Sequence, residues 1–189
     1  MDRRNLLTWG CRTFAALGAA VVAVPGISFL LAPLRRREGG SSLVRRLCLL
    51  DALSPGVPNE QVLTGNRRDA WTLYPRETLG RVWLIRRSAA NVGPEEAQVD
   101  AFTTICPHLG CEIGLASSGD QFFCPCHKAF FKMSGEAIRE TDDGEKNPAP
   151  RDMDPLTCRI VQDATTDAWW VEVEYQKFAL GSEKKLPKG

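Results

Sequence analysis

The sequence predicts a small all-β domain that follows a single N-terminal transmembrane helix. Residues 13–34 include no charged residue, and a helix of about 20 such residues is long enough to cross a bilayer. After that run, apolar residues recur in short alternating stretches between turn signals, and no long amphipathic helix is evident. The hydrophobic content of 43%, the charged content of 25% and the net charge of +1 are ordinary for a globular protein and do not indicate a nucleic-acid partner.

Basic residues flank the apolar run on both sides, so the positive-inside rule does not decide its orientation. The pair Arg3-Arg4, followed by Leu6-Leu7, resembles the twin-arginine export signal, which often has Phe at the position of Leu6. That signal sends folded proteins across the bacterial inner membrane. The alternative is a chance arginine pair on an ordinary signal anchor. We expect residues 1–34 to be a twin-arginine signal anchor that holds a periplasmic domain to the bacterial inner membrane.

Three segments divide the rest of the chain. Residues 35–42 contain no apolar residue, and their Gly-Gly-Ser-Ser end is typical of a flexible hinge. A folded domain is predicted over residues 43–181. The charged tail, residues 182–189, is expected to fray.

Strand-like patterns recur through the predicted domain. They cover residues 43–50, 81–87, 99–105 and the short pair Ile160-Val161. Between the first two, Pro55-Gly56 and Pro58-Asn59 predict a loop.

The last predicted strand has the clearest pattern in the chain. From Trp169 to Gln176, one face carries Trp, Val, Val and Tyr, whereas the other carries Trp, Glu, Glu and Gln. Alternation with a period of two predicts a strand that is buried on one side. This strand, together with the shorter ones before it, predicts an all-β domain.

Four of the seven cysteines fall within two short runs that carry the functional argument. The first run is Cys106-Pro107-His108-Leu109-Gly110-Cys111, and the second is Cys124-Pro125-Cys126-His127. The other three cysteines, Cys11, Cys48 and Cys158, lie in apolar contexts and are interpreted as small buried or membrane-embedded residues.

Two cysteines and two histidines at this spacing can bind zinc, so a structural zinc site is one alternative. Against zinc, both runs contain an extra cysteine at a matching place, Cys111 in the first and Cys126 in the second. Zinc knuckles also usually open with C-x-x-C rather than with C-x-H. Finally, an exported protein works in an oxidising compartment, where spare cysteines are expected to form a disulfide.

The two runs resemble the Rieske motifs C-x-H-x-G-C and C-P-C-H, and they match at every fixed position. Residues 147–150, Asn-Pro-Ala-Pro, are similar to the Gly-Pro-Ala-Pro stretch of quinol-oxidising Rieske proteins, with Asn147 in place of Gly. The resemblance implies a Rieske-type antiparallel β-sandwich head that binds a 2Fe–2S cluster, with residues 147–150 covering one side of it.

The resemblance also implies a role for each residue of the two runs. The ligands would be Cys106 and Cys124 on one iron and His108 and His127 on the other. Cys111 and Cys126 would form a disulfide between the two loops. Rieske ferredoxins and ring-hydroxylating oxygenases lack these extra cysteines, so the chain is expected to belong with the respiratory and photosynthetic members of the family.

A mixed ligand set has a direct redox consequence. Two neutral imidazoles in place of two thiolates remove negative charge, which raises the reduction potential above that of an all-cysteine cluster. Each imidazole can also lose its second proton, so electron uptake is linked to proton uptake. This coupling suits a quinol, and the resemblance implies that His127 and His108 form the catalytic edge.

The chain departs from the family after the second motif. Many relatives continue with Gly-Ser-x-Tyr, whereas this chain has Lys128-Ala129-Phe130-Phe131. The Ser and Tyr would donate hydrogen bonds to sulfur atoms of the cluster site, and Ala129 and Phe131 cannot. Because missing donors destabilise the reduced cluster, we expect a low reduction potential for this class, suited to a quinol such as menaquinol.

The resemblance implies an electron-carrying subunit of a cytochrome bc-type complex. It would take electrons from quinol beside a cytochrome b-type membrane subunit and pass them to a c-type cytochrome, and the hinge at 39–42 would allow the head to swing. The alternative function is the small Rieske subunit of a periplasmic molybdenum oxidoreductase such as arsenite oxidase.

Overall fold

A computed structural model describes residues 2–35, 43–68, 72–140 and 144–188. Helix α1 spans Arg3–Arg35. Within the described residues it is followed by β1 Leu43–Leu49, β2 Pro58–Arg68, β3 Leu73–Arg86, β4 Val99–Thr103, β5 Gly114–Leu115, β6 Gln121–Cys124, β7 Ala129–Lys132, β8 Thr157–Gln162 and β9 Trp169–Tyr175. The chain divides into an N-terminal unit, which contains α1, and a β-rich head.

Helix α1 has the length and composition of a membrane span. Within its segment Arg3–Ala32, an 18-residue window has a mean hydropathy of 2.2, and no residue of that window is buried, which fits a helix long and apolar enough to cross a membrane. The hydroxyl groups of Thr8 and Thr13 donate hydrogen bonds to the carbonyls of Arg4 and Trp9, which satisfies them within the helix. The prediction of one helix long enough to span a membrane is confirmed. Apart from Arg35, the predicted linker 35–42 lies outside the described residues.

The described strands of the head form three sheets, with the strand orders β1-β9-β8, β2-β3-β4 and β5-β6-β7. Strand β9 is central in the first sheet and pairs antiparallel with both neighbours. Val171 and Val173 on β9 are fully buried, whereas Glu172 and Glu174 between them are only partly buried. The half-buried strand and the all-β head are thus confirmed.

The first two sheets share one hydrophobic core. It combines Val82 and Leu84 of β3 with Val171 and Val173 of β9. The sheets approach closely at Gly80, where a Cβ atom would lie 2.0 Å from the Tyr175 hydroxyl oxygen. The third sheet, β5-β6-β7, has a separate core, and that core carries the candidate site.

The long hairpin of β2 and β3 was not predicted. Pro58-Asn59 begin β2 rather than a loop, and β3 begins at Leu73, well before residue 81. Proline is tolerated as the first residue of a strand. The hairpin is polar and is stabilised by ion pairs such as Arg67 Nε to Glu77 Oε2 at 2.5 Å, so it lacks the apolar alternation that the sequence pattern requires.

Residues 177–188, here called the C-terminal strap, fold back on the head. The Ala179 N–H donates to the Leu186 carbonyl at 2.8 Å, and the Lys188 N–H donates to the Lys177 carbonyl at 2.8 Å. Phe178 is buried in the core of the first two sheets. The expectation that the tail frays is therefore wrong for residues 182–188, because backbone pairing and one aromatic anchor outweigh their charged composition.

Candidate metal centre

Two loops at the edge of the third sheet bring the motif residues together. The first cluster loop, residues 106–111, closes on itself through a hydrogen bond from the Cys106 N–H to the Cys111 carbonyl at 2.8 Å. The second cluster loop, residues 124–128, joins β6 to β7, where Cys124 lies opposite Ala129. Each loop contains a residue with positive φ, Gly110 at 85° and Lys128 at 58°.

The two histidines meet at the outer edge of the loops. The ring centroids of His108 and His127 lie 4.7 Å apart, and the ring planes are inclined at 79°. His108 is half-buried and His127 is exposed. The structure therefore brings both predicted imidazole ligands to one solvent-facing edge.

The two free cysteines of the motifs are buried in the same two loops. Cys106 and Cys124 are 1% and 2% exposed, and neither forms a disulfide. Burial raises the pKa of the Cys106 thiol to about 12, while the backbone N–H groups of His108 and Leu109 act in the opposite direction by hydrogen bonding to its sulfur. The Cys106 side chain is also hydrogen-bonded to that of Cys124.

Cys111 and Cys126 form a disulfide that joins the two loops, with Cα atoms 6.5 Å apart. The sulfur atoms of Cys111, Cys124 and Cys126 lie within 4.8 Å of one another. Distance alone would suggest a three-cysteine metal site, but the two disulfide sulfurs have no thiolate to offer. The free thiol that pairs with Cys124 is therefore that of Cys106.

The donor set fits a cluster with two sulfur and two nitrogen ligands. The thiols lie inside, the imidazoles lie outside, and backbone N–H groups point at sulfur, which is the hydrogen bonding that iron–sulfur sites use.

The proline-rich stretch is held by a residue whose role sequence reasoning missed. Asn147 Nδ2 donates to the carbonyls of Phe130 at 2.6 Å and Ile138 at 2.9 Å. Its Oδ1 accepts a hydrogen bond from the Ala149 N–H at 2.9 Å. A glycine cannot make these contacts, so the departure from Gly-Pro-Ala-Pro ties residues 147–150 to β7.

The positions after the second loop are packed with apolar side chains. Ala129 and Phe131 are both completely buried, and they belong to the same core as Phe122, Cys106 and Cys124. Neither side chain can donate a hydrogen bond. The two positions at which the sequence departs from its relatives are therefore buried and provide no side-chain donor.

A buried ion pair next to the proline stretch was also missed. Arg151 and Asp154 are 8% and 3% exposed, and two guanidinium nitrogens bond the two carboxylate oxygens at 2.8 and 2.7 Å. The hydrogen bonds to Asp154 raise the pKa of Arg151. Arg151 also donates to the carbonyls of Ala179, at 2.8 Å, and Ser182. An Arg and an Asp three positions apart are too common to have indicated this arrangement.

Comparison with known proteins agrees with this geometry. Residues 58–150 match the family model described as the Rieske [2Fe-2S] domain. These residues form a Rieske [2Fe-2S] domain, and the chain is a 2Fe–2S electron carrier. The zinc alternative is set aside, because the matched domain is defined by its iron–sulfur cluster.

Its relatives in the comparison are subunits of cytochrome complexes. It is similar to the cytochrome b6-f complex iron-sulfur subunit of Synechococcus elongatus, with 26% identity over 93% of this chain and 89% of the relative. The subunit with the same name in Prochlorococcus marinus is 28% identical over the same shares.

Solved structures with some likeness include a Rieske protein and a monooxygenase. The cyanobacterial plasma membrane Rieske protein PetC3 from Synechocystis has a TM-score of 0.34 and 21% identity, and the alignment covers 59% of this chain and 84% of that one. Dicamba monooxygenase has a TM-score of 0.35 and 17% identity, with coverage of 71% and 34%.

Proposed function

We propose that Cys106, His108, Cys124 and His127 are the four ligands of the 2Fe–2S cluster. The observations that support this most are the buried contact between the two free thiols and the pairing of the two imidazoles on the same two loops. The disulfide between Cys111 and Cys126 holds the two loops together. When bound, the cluster supplies reversible one-electron transfer at a raised potential.

Metal analysis and EPR of the reduced full-length protein in mild detergent test the ligand assignment. We expect iron and acid-labile sulfide at the 2Fe–2S ratio and a Rieske-type signal. Cys124→Ser should lose both, whereas the matched change Cys158→Ser, at a free cysteine of β8, should keep them. Zinc without sulfide in the wild type, or a normal signal in Cys124→Ser, would contradict the assignment.

We further propose that the chain takes electrons from quinol and passes them to a c-type cytochrome as a subunit of a cytochrome bc-type complex. The similarity to cytochrome b6-f subunits extends over nearly the whole chain, and α1 would hold the head at the membrane beside a cytochrome b-type subunit. The twin-arginine resemblance favours a head on the periplasmic side of the bacterial inner membrane.

The proposed role of the chain in this reaction is set by its exposed edge. His127 is the more exposed imidazole, and the ring nitrogen that is not a ligand accepts a hydrogen bond from a quinol hydroxyl and takes its proton. Leu109, which is 60% exposed beside His108, presents an apolar surface to the quinol site.

The partners of the chain can be identified by extraction of the membrane with a mild detergent. We expect a cytochrome b-type subunit to co-purify with the full-length chain, and added quinol to reduce the oxidised cluster, so that the Rieske EPR signal appears. Co-purification with a molybdenum-containing subunit instead, and no reduction by quinol, would contradict this function and select the arsenite-oxidase type of partner.

A further inference from the structure

The C-terminal strap lies directly against the first cluster loop. The Gly181 N–H donates a hydrogen bond to the Pro107 carbonyl at 2.9 Å. Next to it, Leu180 packs on Gly110, where a Cβ atom would lie 2.8 Å from Leu180 Cδ1. A segment far along the sequence therefore covers the outer side of the loop that carries Cys106 and His108.

The strap is itself held firmly, so this contact is not a loose one. Its own ends pair through backbone hydrogen bonds, and Phe178 anchors it in the core. The Lys185 ammonium lies 4.5 Å from the centre of the Phe178 ring and donates to the Pro155 carbonyl at 2.5 Å. The buried Arg151 donates to two strap carbonyls, those of Ala179 and Ser182.

The hydrogen bond from Gly181 acts on one particular peptide group. The Pro107 carbonyl and the His108 N–H belong to the same peptide unit, which is planar, so a bond that orients the carbonyl also orients the N–H. That N–H is one of the two donors to the Cys106 sulfur. Hydrogen bonds in such a chain also polarise one another, which strengthens the donor that faces the sulfur.

We propose that the C-terminal strap is a positioning element of the redox site, which fixes the 107–108 peptide so that the His108 N–H points at the sulfur of Cys106. The proposal rests on the proposed ligand role of Cys106. Hydrogen bonds to a ligand sulfur stabilise the reduced, more negative cluster and so raise its potential. Because this chain has no side-chain donors at Ala129 and Phe131, the backbone N–H donors of the first loop have a larger influence on the potential.

Two variants remove the contact to different extents. Truncation after Ala179 keeps the Phe178 anchor and deletes the Gly181 donor, and Leu180→Ala removes only the packing on Gly110. Leu186→Ala is the matched control, because Leu186 is an exposed leucine of the same strap, 50% exposed against 42% for Leu180. All three are made in the full-length protein with its anchor.

The readouts are the midpoint potential, the width of the EPR signal and hydrogen exchange of the first-loop peptide. For the truncation we expect at least a threefold lower equilibrium constant for reduction, which is about 28 mV at 59 mV per tenfold change, together with a broader signal and faster exchange. Leu180→Ala should shift the same three quantities less, and Leu186→Ala should leave them unchanged.

The outcomes separate this proposal from the ligand assignment. Variants that keep the wild-type potential and line shape would overturn the strap's role, even where thermal unfolding shows that they are less stable. If truncation prevents folding, an unchanged potential and line shape in Leu180→Ala would overturn it alone. A wild-type protein without any Rieske signal would instead overturn the ligand assignment.

Discussion

The two cluster loops are held in different ways. The second loop is a tight connection between β6 and β7, and the pairing of Cys124 with Ala129 places it through neighbours in the sequence. The first loop also contacts distant groups, since Gly181 and Leu180 of the strap pack against it. The two motifs are similar in sequence, but the loops that carry them are held by different contacts. Those contacts can therefore be removed separately by mutation.

The largest effect is expected from the support of the first loop. Arg151→Met leaves the carboxylate of Asp154, only 3% exposed, without its ion-pair partner. Loss of one partner from a buried pair lowers the free energy of unfolding by about 3–5 kcal/mol. Thermal and denaturant unfolding of the full-length protein in detergent measures this.

The matched control is the double variant Arg151→Met/Asp154→Leu. It should recover much of the lost stability, because an apolar pair of similar volume replaces the ion pair without leaving a buried charge. A single variant as stable as the wild type would show that the strap does not depend on Arg151.

The second-largest effect is expected from loss of the disulfide that joins the two loops. The double variant Cys111→Ser/Cys126→Ser opens a disulfide whose cysteines are 15 positions apart, and a loop of this length corresponds to about 3 kcal/mol of stability. Denaturant unfolding should detect this decrease. Cys48→Ser, at a free cysteine on β1, is the control and should change little. Equal stabilities would mean that each loop is fixed by its own support alone.

The next effect in size is expected when hydrogen-bond donors are added on the side of the second loop. Ala129→Ser and Phe131→Tyr should raise the potential stepwise, since each new hydrogen bond to the site stabilises the reduced cluster by about 1 kcal/mol, or about 40 mV at 59 mV per tenfold change. An EPR redox titration measures both steps. Phe123→Tyr, at a half-buried ring of β6, is the control. If neither step changes the potential, the two positions do not tune the cluster.

The smallest effect is expected at the positive-φ residues of the two cluster loops. Lys128 has φ of 58°, in a region that costs a non-glycine residue roughly 1–2 kcal/mol, whereas glycine loses about 0.5–1 kcal/mol more conformational entropy on folding. Lys128→Gly should therefore stabilise the protein by about 0.5 kcal/mol, as measured by unfolding.

The matching change in the first loop should have the opposite sign. Gly110→Ala places a Cβ at positive φ and 2.8 Å from Leu180, so it should destabilise the protein. A stabilising Gly110→Ala would show that the strap does not press on the first loop as the structure places it.

Much of the fold was predictable where the local pattern is strong. The uncharged run predicted α1, and the alternation on β9 predicted its buried face. The polar hairpin of β2 and β3 was missed, because its strands are stabilised by cross-strand pairing rather than by an apolar face. The strap was expected to fray, since a charged composition carries no information about the backbone partners that the head provides.

The sequence by itself determined the chemistry of the site. Two cysteines, two histidines and two extra cysteines in short runs predict the proposed donor set, because residue type and spacing decide which ligand atoms a site can offer. The absence of donors at Ala129 and Phe131 is also visible in the letters alone.

Only the tertiary structure decided how that donor set is held. Three contacts hold it: the Asn147 bridge to β7, the Arg151–Asp154 pair and the Gly181 bond to the first loop. They depend on residues that are distant in sequence, or on side-chain directions that a sequence pattern does not specify. Hydrogen bonds require position and angle to within a few tenths of an ångström, and these are set by the packing of the whole head.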